Sequence, residues 1–171
     1  TDIPKLNVDS PMLLDQPIAT ASAKKYLDEG LSKYVPKTPD VPGGWKSPLL
    51  GYTQDMAESA YENKMHPGLQ LLMAIAETQA MRPAASGTQV QNPYNIMQPG
   101  TQKLYDYTNQ GGLQRAVRRF PENVAQNWQN SNITKWRQNP TLGGFVNAYN
   151  PSDNPQGELS TILQLINSLG L

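Results

Sequence analysis

The stretch His66-Pro67-Gly68-Leu69-Gln70-Leu71-Leu72-Met73-Ala74-Ile75-Ala76-Glu77-Thr78-Gln79 constrains the fold more than any other part of the chain. Pro67 suits the first position of a helix, where its missing N–H has no intrahelical partner to lose. Leu69, Leu72, Met73 and Ala76 then fall at the i, i+3, i+4, i+7 spacing of one helical face. Leu71 and Ile75 widen that face until the segment is apolar nearly all round, which predicts a central, buried helix. At its far end, after an uncharged run from Gly68 to Ala76, stands Glu77. The helix dipole is negative there and the preceding turns are apolar, so burial and dipole both favour the protonated carboxyl. A carboxylic acid kept protonated near neutral pH is what general-acid catalysis requires. The plain alternative is a solvated glutamate at a helix end.

The rest of the composition narrows what such a helix serves. At 171 residues the chain makes one ordinary domain, or a domain with an extra arm, and can bury a real core. Its formal net charge is +0, so no field points to nucleic acid or to an acidic membrane surface. Charged residues make up only 16%, and polarity comes instead from Asn, Gln, Ser and Thr, which suits sugar recognition as well as ordinary loops. No apolar run reaches the about 18 residues of a membrane span. No charged-then-apolar leader opens the sequence, so delivery outside a cytoplasm is expected to rest on something other than a signal peptide. One His, no Cys and no clustered acids provide no metal set, and no cofactor is expected.

Residues 1–50 hold Pro4, Pro11, Pro17, Pro36, Pro39, Pro42 and Pro48, and are read as a Pro-rich N-terminal arm with little core of its own. Within it, Ala19 to Tyr34 is a helix candidate with Ala21, Leu27, Leu31 and Tyr34 on a face, weakened by Gly30. Residues 51–171 are read as the functional domain. Helices are expected over Thr53 to Asn63, with Thr53 as N-cap and Met56, Ala60 and Tyr61 on a face, and then over the central stretch up to Arg82-Pro83. A polar loop from Ala84 and a turn-dense Asn92 to Thr101 lead into a short helix near Thr101 to Tyr107. Further helices are predicted at Leu113 to Phe120, with Arg115, Arg118 and Arg119 on the wet side, and between Glu122 and Trp136. Leu142 to Tyr149 and Leu159 to Leu169 complete the set, the latter with Leu159, Ile162, Leu163 and Ile166 on one side. Strand signals are almost absent, so the class is mainly α.

The run HPGLQLLMAIAETQAMRPAAS…NPYNIMQPGTQKL resembles the signature of soluble lytic transglycosylases. That signature is an apolar helix ending in a catalytic Glu, a small-residue loop ending in Ser, and a turn that leads to a Pro and a Thr. Glu77, Ser86, Met97, Gln98, Pro99 and Thr101 match it, and Ala148-Tyr149-Asn150 is similar to a cleft-lining element of that family. Thr78 stands where Ser is usual, Asn95-Ile96 where Gly-Leu is usual, and Pro151 where a Gly is usual. Asn92-Pro93-Tyr94-Asn95-Ile96 also resembles an element of bacterial glucosaminidases and phage cell-wall hydrolases, and the C-terminal stretch looks like that of phage virion proteins. Both resemblances imply a lysozyme-like fold acting on the glycan strands of peptidoglycan. They cover about residue 55 to 171 and leave the arm unexplained.

What the resemblance implies is a glycosidase-type enzyme in which Glu77 protonates the glycosidic oxygen. A hydrolase adds a second carboxylate, for which Asp106, Glu122 and Asp153 are the candidates; a transglycosylase needs none. Asn95 and Gln98 either hydrogen-bond the sugar or satisfy their own turn. Tyr149 stacks on sugar, holds Glu77, or is a core aromatic; Tyr94 lines the cleft or caps it; Ser86 either stabilises its loop or meets substrate. His66 is read as structural. The three arginines form a solvated face, or meet stem-peptide carboxylates or an assembly partner. The expected setting is a phage particle, with the arm docking to other virion or tail proteins. The alternative is a non-catalytic structural or wall-binding virion component that keeps a lysozyme-like fold.

Overall fold

The helix from Pro67 to Thr78 (α3) runs through the centre of the computed structural model, which describes residues 3–149 and 154–171. Every residue of α3 from Pro67 to Ile75 is buried. His66 caps it, its Nδ1 accepting from the Gly68 amide at 2.9 Å, with Pro67 at the first turn as its fixed φ favours. The described residues are mainly helical, 55% helix against 4% strand, and the latter comes down to isolated bridges rather than a sheet. None of these helices is long and apolar enough to cross a membrane.

Around α3 pack α1 (Thr20–Lys33), α2 (Thr53–Glu62), α4 (Ser86–Gln89), α5 (Gly112–Glu122) and α8 (Pro155–Leu169); α6 (Ser131–Trp136) and α7 (Leu142–Tyr149) pair beside them. Gly30 in α1 is a contact point rather than a weakness. A Cβ there would lie 2.3 Å from Leu71 Cδ2, so the missing side chain is what lets α1 approach α3. The buried stripe of α1 is Ala23, Leu27, Gly30 and Leu31, and the expected Ala21 is exposed.

The segment read as an arm belongs to the core. Met12, Leu27 and Leu31 are at most 1% exposed and share one apolar cluster with Leu69, Leu72 and Phe120. Its extended part is held by backbone bonds to three separate loops. Met12 N donates to Pro140 O at 2.7 Å, His66 N to Met12 O at 2.8 Å, and Leu6 N to Leu171 O at 3.0 Å. Prolines remove any sequence period from such a strap, yet each buried amide still finds a carbonyl, so the strap packs without a sheet. The boundary at residue 50 therefore does not divide a core from an appendage.

Four local expectations also change. A 3₁₀ turn, Pro48–Tyr52, capped by Ser47, precedes α2, so Thr53 is the first α-helical residue, and its hydroxyl donates to Asp28 Oδ1 at 2.6 Å. Tyr61 is 48% exposed, off the buried face of Met56 and Ala60. Thr101 to Tyr107 is no helix: Gln98 N donates to Lys103 O at 2.9 Å and Tyr105 N to Ile96 O at 2.8 Å, which makes an irregular hairpin. In α8 the inward residues are Ile162 and Leu169, while Leu163 faces out at 38% exposure. By contrast α5 buries Leu113, Ala116, Val117 and Phe120 as its spacing predicts. Its Arg118 is not merely solvated, since it bridges to Asp55 at 2.8 Å and Glu58 at 2.9 Å on α2.

Candidate functional site

Glu77 sits in the last turn of α3, and the chain leaves that helix by an unusual route. Gln79, Ala80 and Met81 have φ of 49°, 56° and 69°, three successive non-glycine residues in the left-handed region. Each costs about 1 kcal/mol or more, so the surroundings must hold them. Gln79 N donates to Ile75 O at 2.8 Å and Ala80 N to Ala74 O at 3.1 Å, closing the helix end. The Thr78 hydroxyl shares its proton between the Ala74 and Pro93 carbonyls, both at 3.0 Å, and accepts from Met81 N at 3.1 Å. Ser47 Oγ donates to Ala80 O at 2.7 Å, and Arg82 pairs with Asp40 at 3.1 Å. Thr78 thus uses its hydroxyl to stitch the helix end to the next loop.

That next loop carries Asn95 to the carboxyl. Asn92, fully buried, donates from Nδ2 to Ile96 O at 2.8 Å and Tyr105 O at 2.9 Å, and accepts from Ile96 N at 2.9 Å. The loop is thereby fixed to the hairpin, and Asn95 takes a left-handed φ of 52°. Its Nδ2 donates to both the backbone oxygen and Oε2 of Glu77, at 3.1 Å each. Gly87 in α4 makes this fit possible. A Cβ at Gly87 would lie 2.4 Å from Asn92 O, 2.4 Å from Asn95 Oδ1 and 2.7 Å from the Thr78 methyl carbon.

Glu77, Ser86, Asn95, Gln98 and Tyr149 line one cavity of about 770 Å³, within the usual range of ligand sites. Tyr149 is placed by α7, and its hydroxyl donates to the Tyr94 carbonyl. Burial, and next the charge of Glu77, hold the Tyr149 phenol protonated well above its ordinary range. Tyr149 borders the cavity and packs in an aromatic cluster with Phe145 at 5.2 Å, which fits its reading as a core aromatic.

Tyr94 does not line the cavity. It is 0% exposed and stacks on Phe120 at 4.1 Å, so its ring is core and only its carbonyl serves the site. Asp106 is exposed, accepting from Thr108 N at 2.9 Å, and Glu122 pairs with Arg119 at 3.2 Å; neither borders the cavity. Asn150, Pro151 and Asp153 lie outside the described residues. Among the described lining residues Glu77 is the one carboxylate.

The sequence reading missed a wall. Trp128, Asn130 and Ile133 border the cavity, with Leu104 and Met97 from the hairpin. Pro121 removes one amide from the ladder of α5, and the helix widens just beyond it into a π-helical turn, Asn123–Asn127. Trp128 follows that turn. The available signal was a tryptophan set in the wholly polar run Gln126-Asn127-Trp128-Gln129-Asn130. No protein-family model, curated protein or solved structure matches this chain.

Proposed function

We propose that the protein is a peptidoglycan-directed glycosidase of lysozyme-like architecture, with Glu77 as the proton donor to the glycosidic oxygen. The observation that carries the reading is the meeting of Glu77, at the end of a buried helix, with the Asn95 amide on its Oε2 inside a ligand-sized cavity. A glycosidic oxygen leaves poorly until it is protonated, so one oriented carboxyl is the minimum such chemistry needs. With Glu77 the one described carboxylate on the cavity, the route favoured is the single-acid one. Glu77 gives its proton to the leaving oxygen as the C1–O bond breaks. Its carboxylate then takes the proton of the substrate's own C6 hydroxyl as that oxygen closes on C1, so the acid is restored. The resemblance of Glu77, Ser86, Met97 to Pro99 and Ala148-Tyr149 to transglycosylases, and of Asn92 to Ile96 to phage wall hydrolases, supports the substrate and a phage particle as the setting.

Mass spectrometry of purified peptidoglycan after incubation tests this. Anhydro-muramyl ends are expected, and reducing ends would replace the transglycosylase route by hydrolysis. Glu77→Gln keeps the shape and removes the transferable proton, so turnover should fall by about 10²–10⁴-fold with the fold intact. Full activity in that variant would remove Glu77 from the chemistry. No product from the unaltered chain would leave the wall-binding role in its place.

A further inference from the structure

The amide that reaches Glu77 has one orientation open to it. Asn95 Nδ2 lies 3.1 Å from the main-chain oxygen of Glu77 and 3.1 Å from its Oε2. A main-chain carbonyl can only accept, so the atom that faces it must be the nitrogen. Turned over, Asn95 would set Oδ1 against that carbonyl, lone pair to lone pair. On the other side Oδ1 is buried with no hydrogen-bond partner, close to Gly87, where a Cβ would come within 2.4 Å of it. A buried acceptor without a partner is costly. The two bonds made by the nitrogen are what hold this orientation.

Those bonds tie two parts of one residue. A helix end leaves its last carbonyls to be satisfied. Backbone amides serve those of Ala74, Ile75 and Thr78, whereas that of Glu77 takes the Asn95 side chain. The same NH₂ group donates to the carboxyl, so one amide fixes the main chain and the side chain of Glu77 together. The loop behind it is anchored by Asn92 to Ile96 and Tyr105, and Asn95 holds a φ of 52°, a conformation that Asn tolerates. Oε2 accepts from Nδ2 in either protonation state, because the carbonyl oxygen of an acid accepts as a carboxylate oxygen does. In the neutral acid, which is the form a proton donor needs, the proton then belongs on Oε1.

We propose that Asn95 is the positioning residue of this site, holding Oε2 as an acceptor so that the acidic proton of Glu77 sits on Oε1. Glu77 then gives its proton from one oxygen in one orientation, as a directed transfer requires. Tyr149, from α7, is the other titratable group among the described lining residues, which include no lysine, arginine or histidine. Its phenol stays protonated and does not compete for that proton. The proposal deepens the glycosidase reading and rests on it for turnover, but the hydrogen bond is readable without turnover.

Two variants and one spectroscopic measurement test it. Asn95→Gly accepts the left-handed φ and removes the amide, while Asn95→Asp keeps the shape and puts an acceptor where the donor stood. On purified peptidoglycan, turnover per folded molecule should fall by about tenfold or more in Asn95→Gly. The alkaline limb of its pH profile should move up, since losing a donor disfavours the carboxylate. Asn95→Asp should fall further, because its own carboxyl draws the Glu77 proton onto Oε2. A helix cap and nothing more would lower the melting temperature but leave turnover and pH profile unchanged, and that result overturns the proposal. In the unaltered chain, the Asn95 side-chain amide signals in nuclear magnetic resonance should follow the titration of Glu77, with no such step in Glu77→Gln. Amide signals that ignore that titration overturn the proposal even if both Asn95 variants fail to fold. Signals that follow it in a chain that cleaves no glycan support the placed carboxyl and remove only the catalytic reading. Turnover lost in Glu77→Gln, with amide signals that ignore the titration, removes only the role of Asn95.

Discussion

At its N-terminus α3 is closed off, and at its C-terminus it opens onto the cavity. The first end has His66 at 4% exposure capping Gly68, Tyr26 edge-on to the imidazole at 5.9 Å, and Leu6 lying close over Gly68. Nothing ionised belongs there, and burial holds the His66 pKa at about 4. The second end carries the left-handed Gln79, Ala80 and Met81, and its polar groups converge on Glu77. One helix thus has a relaxed, desolvated end that supplies stability and a strained end that borders the cavity. The difference teaches that the strain at Gln79 to Met81 is affordable because the rest of the helix is so fully buried.

The bluntest way to break the comparison is to remove residues 1–50, the strap and helix that cover the closed end. Leu27, Leu31 and Met12 leave with them, each worth about 2–5 kcal/mol of buried packing, which together is comparable to the whole stability of a typical domain. Circular dichroism and calorimetry should show loss of the cooperative transition. A sharp transition in the truncated chain would restore the arm reading.

A gentler test titrates the closed end. The folded pKa of His66 is lowered from 6.5 to about 4, so the folded state binds fewer protons in between. Its contribution is whole above about pH 6.5 and is lost as pH falls through the window to about 4, amounting to about 3 kcal/mol. Protonation also turns Nδ1 from acceptor to donor, which breaks the cap. His66→Asn keeps a capping acceptor that does not titrate, so denaturant unfolding between pH 7 and pH 4 should fall less steeply for it. Parallel curves for the two proteins would refute this account of the closed end.

The smallest expected effect sharpens the comparison at the open end. Ser47→Ala removes the donor to the buried Ala80 carbonyl and should cost about 2 kcal/mol. Because that bond holds the left-handed turn, activity per folded molecule should fall as well, which an equally destabilising Leu49→Val change would not cause. Equal specific activity in both variants would mean that the turn needs no support from Ser47.

The sequence by itself determined the central helix and its start, but not its end, which falls at Thr78 rather than at Arg82-Pro83 because Gln79 to Met81 turn left-handed. Pro67 and the apolar run from Leu69 to Ile75 admit no other element, because local spacing alone sets which side chains a helix must bury. The same holds for α5, and for α7 at its predicted limits. Glu77, Ser86, Asn95, Gln98 and Tyr149 were legible as cavity residues because their motif resembles one in which those positions meet. Only the tertiary structure decided the rest. The strap around Met12 has no period, since its amides and carbonyls bond to three distant segments. Gly30 reads as a helix weakness until Leu71 is seen against it, and Tyr94 reads as a cleft residue until Phe120 covers its face. Trp128 reaches the cavity just beyond the π-helical turn that follows Pro121, a turn whose Val124 and Asn123 carbonyls accept from Arg137, 13 and 14 residues further on. Local patterns fix what each element must hide, whereas partners far apart in the chain fix where it is hidden.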